Sequence, residues 1–253
     1  MDQFKRLIDI MARLRGPDGC PWDRAQDHKS IKPYLIEEAY EVLEAIDAAD
    51  DNKLAEELGD LLLHVVFHAQ MAAESGRFDI ETICRKISDK LVERHPHVFK
   101  DKVDLTPSQV LDRWEVIKQN NRRDYSVLEG VPRSMPALLK AYRIQEKVGR
   151  LGFDWKETAG VVDKIEEEIA EFEAALNKGN HDEMYHELGD LLFSLVNLAR
   201  HLKLRAEEAL DDTNKRFIER FRYIETKLAE KGKSPADSTL EEMDALWEES
   251  KRQ

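Results

Sequence analysis

One passage of this chain is written twice. Glu57-Leu58-Gly59-Asp60, running into Leu61-Leu62-Leu63, returns as Glu187-Leu188-Gly189-Asp190, running into Leu191-Leu192-Phe193. A second acidic motif accompanies each copy, Glu37-Glu38-Ala39-Tyr40-Glu41 and Glu167-Glu168-Ile169-Ala170-Glu171. The separation is 130 residues for all four acids: 38 with 168, 41 with 171, 57 with 187 and 60 with 190. A chance pattern of helix-surface charges does not hold such a register. The chain is therefore read as two copies of one architecture, with the acids as its working part.

The apolar residues around the acids recur at helical spacing. Phe4, Leu7, Ile8, Met11 and Leu14 form a first stripe, ended by Gly16-Pro17-Asp18-Gly19. Leu35, Ala39, Val42, Leu43 and Ile46 form the next. After Asp50-Asp51-Asn52 comes a third stripe, Leu54, Leu58, Leu61, Leu62, Val65, Val66 and Ala69. Leu63 and Phe67 add apolar residues on its opposite side, so this helix is expected to be buried nearly all round. A helix over about 79–94 follows, with Ile83, Ile87 and Leu91 expected inward, and Thr106-Pro107-Ser108-Gln109 opens another with a capping box.

The second half replays the first: Ile165, Ile169, Phe172 and Leu176, then Leu188 to Ala199, and a second capping box at Thr239-Leu240-Glu241-Glu242. The fold expected is all-α, a tandem repeat of two small helical bundles. Residues 1–122 would form the first domain, 123–133 a linker with Gly130 and Pro132, and 134–253 the second domain.

Composition narrows the function. A net charge of -13, from 39 basic and 52 acidic residues, excludes a nucleic-acid-coating surface. An anionic ligand would need a cation or a local Lys/Arg cluster to mediate. The two cysteines, Cys20 and Cys84, form neither a metal-ligand spacing nor a disulfide framework. Neither an apolar leader nor a run long enough to span a bilayer is evident, so no membrane partner and a cytoplasmic location are expected.

Residues three apart share a helix face, so Glu38 projects with Glu41 and Glu57 with Asp60. An antiparallel hairpin through Asp50-Asp51-Asn52 would turn the two pairs toward each other. Four converging carboxylates repel and resist desolvation unless a divalent cation lies among them. All-oxygen ligation favours a hard ion, Mg2+ with Mn2+ as a substitute. Gly59 and Gly189 are costly in mid-helix and imply close approach of a neighbour or ligand. The residues alone leave two classes open: an enzyme, or a non-catalytic regulatory module that binds nucleotide or a partner protein.

The ordered motif Glu-Glu-x-x-Glu, about fifteen residues, then Glu-x-x-Asp resembles the all-α nucleoside triphosphate pyrophosphohydrolases, in a two-domain, MazG-like layout. Gly16 to Asp23, Arg94-His95-Pro96-His97-Val98-Phe99 and Gly152-Phe153-Asp154-Trp155 extend the resemblance over nearly the whole chain. It implies Mg2+-dependent hydrolysis of a nucleoside triphosphate to monophosphate and pyrophosphate, in a homodimer. Position by position, the catalytic and metal-binding acids would be Glu168, Glu171, Glu187 and Asp190. Glu38, Glu41, Glu57 and Asp60 would be their metal-binding counterparts. Lys215, Arg216 and Arg220 resemble the phosphate-binding helix, and Lys118 matches a position of the nucleotide site. Trp247 would stack on a base or pack in the core. Lys164 would reach phosphate or form a surface pair. The second repeat is expected to be the better site, because Lys164 is Tyr34 and Arg216 is Lys90 in the first.

Overall fold

The computed structural model describes residues 2–100, 102–120 and 126–252, with the backbone alone given for residues 2, 111, 112, 115, 116 and 118–120. The chain is all-α, and among the described residues there is no strand. It forms two compact units, Met1–Ile117 and Lys118–Gln253.

The first unit holds α1 (Asp2–Arg15), α2 (Pro21–Ala25), α3 (Lys32–Asp47), α4 (Asp51–Glu74), α5 (Ile80–Arg94), α6 (Pro96–Phe99) and most of α7 (Pro107–Asn120). Its core is Met11, Ile31, Val66, Phe67 and Met71, flanked by Leu7, Ile8, Leu63 and Ile80. Helix α1 thus lies on α4 through the stripe that the periodicity marks. Gly19 closes the turn after α1, where a side-chain carbon would collide with the Leu14 carbonyl. Arg15 then ties the turn down. Its guanidinium donates to the Asp23 carbonyl, to the Gln26 carbonyl at 3.2 Å and to the Glu74 carboxylate at 2.8 Å.

The second unit holds α8 (Ala137–Gly149), α9 (Thr158–Lys178), α10 (His181–His201), α11 (Ala206–Glu230) and α12 (Leu240–Ser250), with a 3-10 turn at Pro235–Asp237. Helix α10 packs on α9 and α8, and α11 on α8, α10 and α12. Ile224, Leu228 and Leu246 make one core cluster, with Phe221, Met243 and Trp247 against it. Both expected capping boxes form: Thr106 with Gln109, and Thr239 with Glu242.

Two burial expectations fail. Helix α4 is not covered all round: Leu58, Leu62 and Val65 are 49%, 40% and 40% exposed. Leu188, Leu192 and Phe193 of α10 are exposed as well. Within each unit a small bundle packs one side of such a helix against its neighbours, and among the described residues of that unit these side chains stay exposed. Ile87 and Leu91 of α5 are also exposed, while Ile80 at the start of α5 packs against the core.

Candidate functional site

Each acid group is built on one helical hairpin. Helices α3 and α4 are joined by Ala48, Ala49 and Asp50, with Ala49 in the left-handed region at φ 51°. Asp50 caps α4, accepting from the Asn52 and Lys53 amides at 3.0 Å each. The tight link sets the helices antiparallel. One carboxylate oxygen each from Glu38, Glu41 and Glu57 then fall within 4.8 Å of one another. Asp60 stays outside this close group, though its charge is felt by both Glu38 and Glu57.

The second hairpin repeats the construction with different residues at the link. Helix α9 ends on Gly179, at φ 67°, and Asn180 caps α10 by accepting from the Asp182 and Glu183 amides. Glu168, Glu171 and Glu187 each bring an oxygen within 4.8 Å of the other two. Asp190 again lies outside the close group, with its charge acting on Glu187. The acid register of the sequence is therefore a three-dimensional convergence, made twice.

The electrostatics differ between the copies. Burial, a hydrogen bond donated to Glu41 and the surrounding carboxylates push Glu38 up to about 6. Burial followed by the Glu41 charge raises Glu57. Burial, then Glu171, Asp190 and Glu168, raises Glu187. In the second unit a cation enters the group: Lys164 Nζ lies 2.8 Å from Glu168 Oε1 and 2.8 Å from Glu167 Oε1. Those bonds hold its ammonium above the usual lysine range. Glu168 Oε2 is buried with no hydrogen-bond partner.

The remaining expected residues gather on α11 and α12. Arg216 Nη2 donates to Thr213 Oγ1 at 2.8 Å, and Lys215 pairs with Asp211 at 2.8 Å. Arg220 lies over the Trp247 ring, 5.4 Å from its centroid, and Phe217 stands 5.0 Å from the same ring. Trp247 thus packs at the edge of a core cluster with a cation on it. The side chain of Lys118 lies outside the described residues. Gly59 and Gly189 meet no neighbour: an added carbon at either would enter open space within 4 Å. Packing within the described residues therefore does not explain them.

Three features escaped the sequence. Glu167 anchors Lys164, and only its spacing of three residues hinted at the contact. His28 Nδ1 meets His68 Nδ1 at 2.7 Å, with Arg77 Nη2 on His28 Nε2 at 2.6 Å. Asp154 Oδ1 takes Arg200 at 2.6 Å and His201 at 2.9 Å, holding the Gly152–Trp155 loop to the end of α10. Gly160 accommodates that loop, for a side-chain carbon there would collide with Trp155.

Paired helical hairpins, each gathering carboxylates from two antiparallel helices, define a duplicated all-α acidic-site protein. Comparison with known proteins sharpens this. The family model of the MazG nucleotide pyrophosphohydrolase domain matches residues 26–99 and again 157–224, spanning both hairpins. The chain is 49% identical over 259 residues to the nucleoside triphosphate pyrophosphohydrolase of Escherichia coli K12, covering 100% of this chain and 98% of that protein. It is 45% identical over 250 residues to a Thermotoga maritima protein named nucleoside triphosphate pyrophosphohydrolase/pyrophosphatase MazG, covering 98% and 95%. A Bacillus subtilis protein, YabN, is 46% identical over 252 residues, which make up 52% of its length. The chain belongs to the MazG nucleotide pyrophosphohydrolase family and is an enzyme.

Proposed function

We propose that this enzyme hydrolyses nucleoside triphosphates, ribo and deoxyribo alike, to the monophosphate and pyrophosphate. The reaction depends on Mg2+, with Mn2+ able to substitute. The observation that carries the reading is the convergence of Glu168, Glu171 and Glu187, whose oxygens lie within 4.8 Å of one another. The donor set fits a hard divalent cation: it is all oxygen, and Glu168 Oε2 is buried without a partner.

Glu168, Glu171, Glu187 and Asp190 would hold the cation, as Glu38, Glu41, Glu57 and Asp60 would in the first unit. A bound divalent cation neutralises phosphate oxygens and lowers the pKa of an attacking water. A carboxylate left free of the cation would take the water's proton; Glu187, raised by burial and its acidic neighbours, would suit that transfer where the other three acids hold the ion. Lys215, Arg216 and Arg220 supply the positive charge that a departing pyrophosphate needs. Trp247 offers a ring face to the base, which any base can use. Lys118 completes the proposed nucleotide site.

The apolar residues left exposed on α3, α4, α9 and α10 support a homodimer, in which a second copy would cover them. Among the described residues no helix is long and apolar enough to cross a membrane, and a cytoplasmic location is part of the proposal. A panel of ribo- and deoxyribonucleoside triphosphates, assayed with Mg2+ and with chelator, tests the reading. Pyrophosphate and monophosphate are the expected products, absent under chelation. Orthophosphate as the primary product, in preparations free of pyrophosphatase, would refute it.

A further inference from the structure

The two acid groups are neutralised in different ways. In the first, Glu38 hydrogen-bonds to Glu41, and the residue one turn before Glu38 is Tyr34, 44% exposed. In the second, the same position is Lys164, and its ammonium sits 2.8 Å from Glu168 Oε1. Glu168 is only 4% exposed, the most enclosed acid of its group. An enclosed carboxylate requires a counter-charge or a proton. Lys164 is the counter-charge here, and it reaches the group from a stem that is itself 33% exposed.

We infer that Lys164 is a stand-in cation: it occupies Glu168 while no divalent ion is bound, and ion binding releases it toward the substrate's phosphates. The inference rests on reading the acid groups as divalent-cation sites. Two positive charges on one carboxylate repel, so the ammonium and a divalent ion oppose each other at Glu168. Displacement does not strand the lysine, because Glu167 already takes its Nζ at 2.8 Å with a side chain 55% exposed. The ammonium then stands beside the ion, free to meet an anionic oxygen. Ion and triphosphate binding are linked through a single side chain, and the first unit lacks the link.

A lysine that merely oriented Glu168 would predict the opposite sign, because its removal would loosen the ligand and weaken ion binding. The test measures Mn2+ binding by electron paramagnetic resonance on metal-stripped full-length protein without nucleotide. In a Glu38→Gln/Glu41→Gln background only the second group counts, and Lys164→Gln is expected to lower the Mn2+ dissociation constant by at least about threefold. The same substitution raises KM for a nucleoside triphosphate. The converse arm installs Tyr34→Lys in a Glu168→Gln/Glu171→Gln background. There the first group is expected to bind Mn2+ at least about threefold more weakly.

Unchanged or weaker Mn2+ binding by natively folded Lys164→Gln overturns the inference. If that variant does not fold, the Tyr34→Lys arm decides alone, and unchanged or tighter binding there overturns it. Mn2+ that binds regardless of residue 164 defeats the stand-in role and leaves the cation site standing. Failure of Mn2+ to bind either group removes the cation reading and the inference together.

Discussion

Glu38 and Glu41, one turn apart on α3, are joined by a hydrogen bond between their carboxyl groups. Such a bond needs a proton, and burial with the neighbouring Glu57 and Asp60 keeps it on Glu38 up to about pH 6. In the unfolded chain Glu38 titrates near 4.5. The folded state therefore binds more protons between these values. The stabilisation is fully present below about pH 4.5 and is lost as pH rises through about 6. With chelator present, the melting temperature of the first unit should fall across this window in wild type and fall less in Glu38→Gln. Parallel profiles for the two proteins would show that Glu38 carries no such proton.

The histidine pair acts with the opposite sign. The Arg77 guanidinium can only donate, so His28 Nε2 accepts, and the His28 proton sits on Nδ1. His28 Nδ1 then donates to His68 Nδ1, which fixes the His68 proton on Nε2. Burial, then His28 and His64, hold His68 below its ordinary 6.5. Folding thus disfavours the extra proton, and stability present above about pH 6.5 is lost as pH falls through the lower folded value. The charges acting on His68 are those of His28 and of His64 on α4, with Arg77 on the far nitrogen of His28. In His68→Gln the amide oxygen accepts from His28 at any pH, and this part of the acid sensitivity should vanish. Nitrogen-15 NMR reads the tautomers directly, and an Nε2-protonated His28 at neutral pH would contradict the arrangement.

How far the sequence carried depends on what kind of fact was sought. The acid register was legible because helix geometry converts spacing into direction, and a short capped link converts direction into convergence. The fate of Leu62 was not: periodicity marks an apolar face but is silent on what covers it. Asp60 and Asp190 show a finer limit. Sequence places each on the face of its partner acid, yet a turn of helix separates sharing a face from entering a close group. Lys164 was legible as a cation near Glu168, while its hold on a buried oxygen depended on the enclosure of Glu168, which only the packed hairpin sets.

The glycines of the two acid motifs give a test of where substrate lies. Both sit in regular helix, and an added methyl at either meets no atom within 4 Å. Alanine is favoured over glycine in a helix interior by about 1 kcal/mol. Gly59→Ala and Gly189→Ala should therefore raise thermal stability by about that amount. If the open space beside Gly189 receives the triphosphate, Gly189→Ala also lowers kcat/KM by about threefold or more, with Gly59→Ala milder. Stabilisation with unchanged kcat/KM in Gly189→Ala would place the substrate elsewhere.

The last prediction concerns which unit does the work. The two acid groups have the same composition and the same mutual spacing, within 4.8 Å in each. Their cationic surroundings differ. Lys164 stands at the second group where the first has Tyr34, and Arg216 on α11 corresponds to Lys90 on α5, which lacks the planar two-pronged donor. Arg220 corresponds to Arg94 and Trp247 to Trp114, yet the aromatic settings are not alike. Trp247 lies beneath the Arg220 guanidinium, whereas Trp114 packs edge-on against His95 with its Nε1 buried and without a partner. Each added cation near a polyphosphate contributes on the order of 1 kcal/mol when partly desolvated. One added cation and one two-pronged donor in place of a lysine together amount to about tenfold in affinity or more. Glu168→Gln/Glu171→Gln should therefore abolish most of the turnover at saturating Mg2+, while Glu38→Gln/Glu41→Gln should retain most of it. Circular dichroism should be unchanged in both, because each substitution preserves side-chain size and relieves repulsion. A larger loss of turnover from the first-unit pair would reverse the assignment.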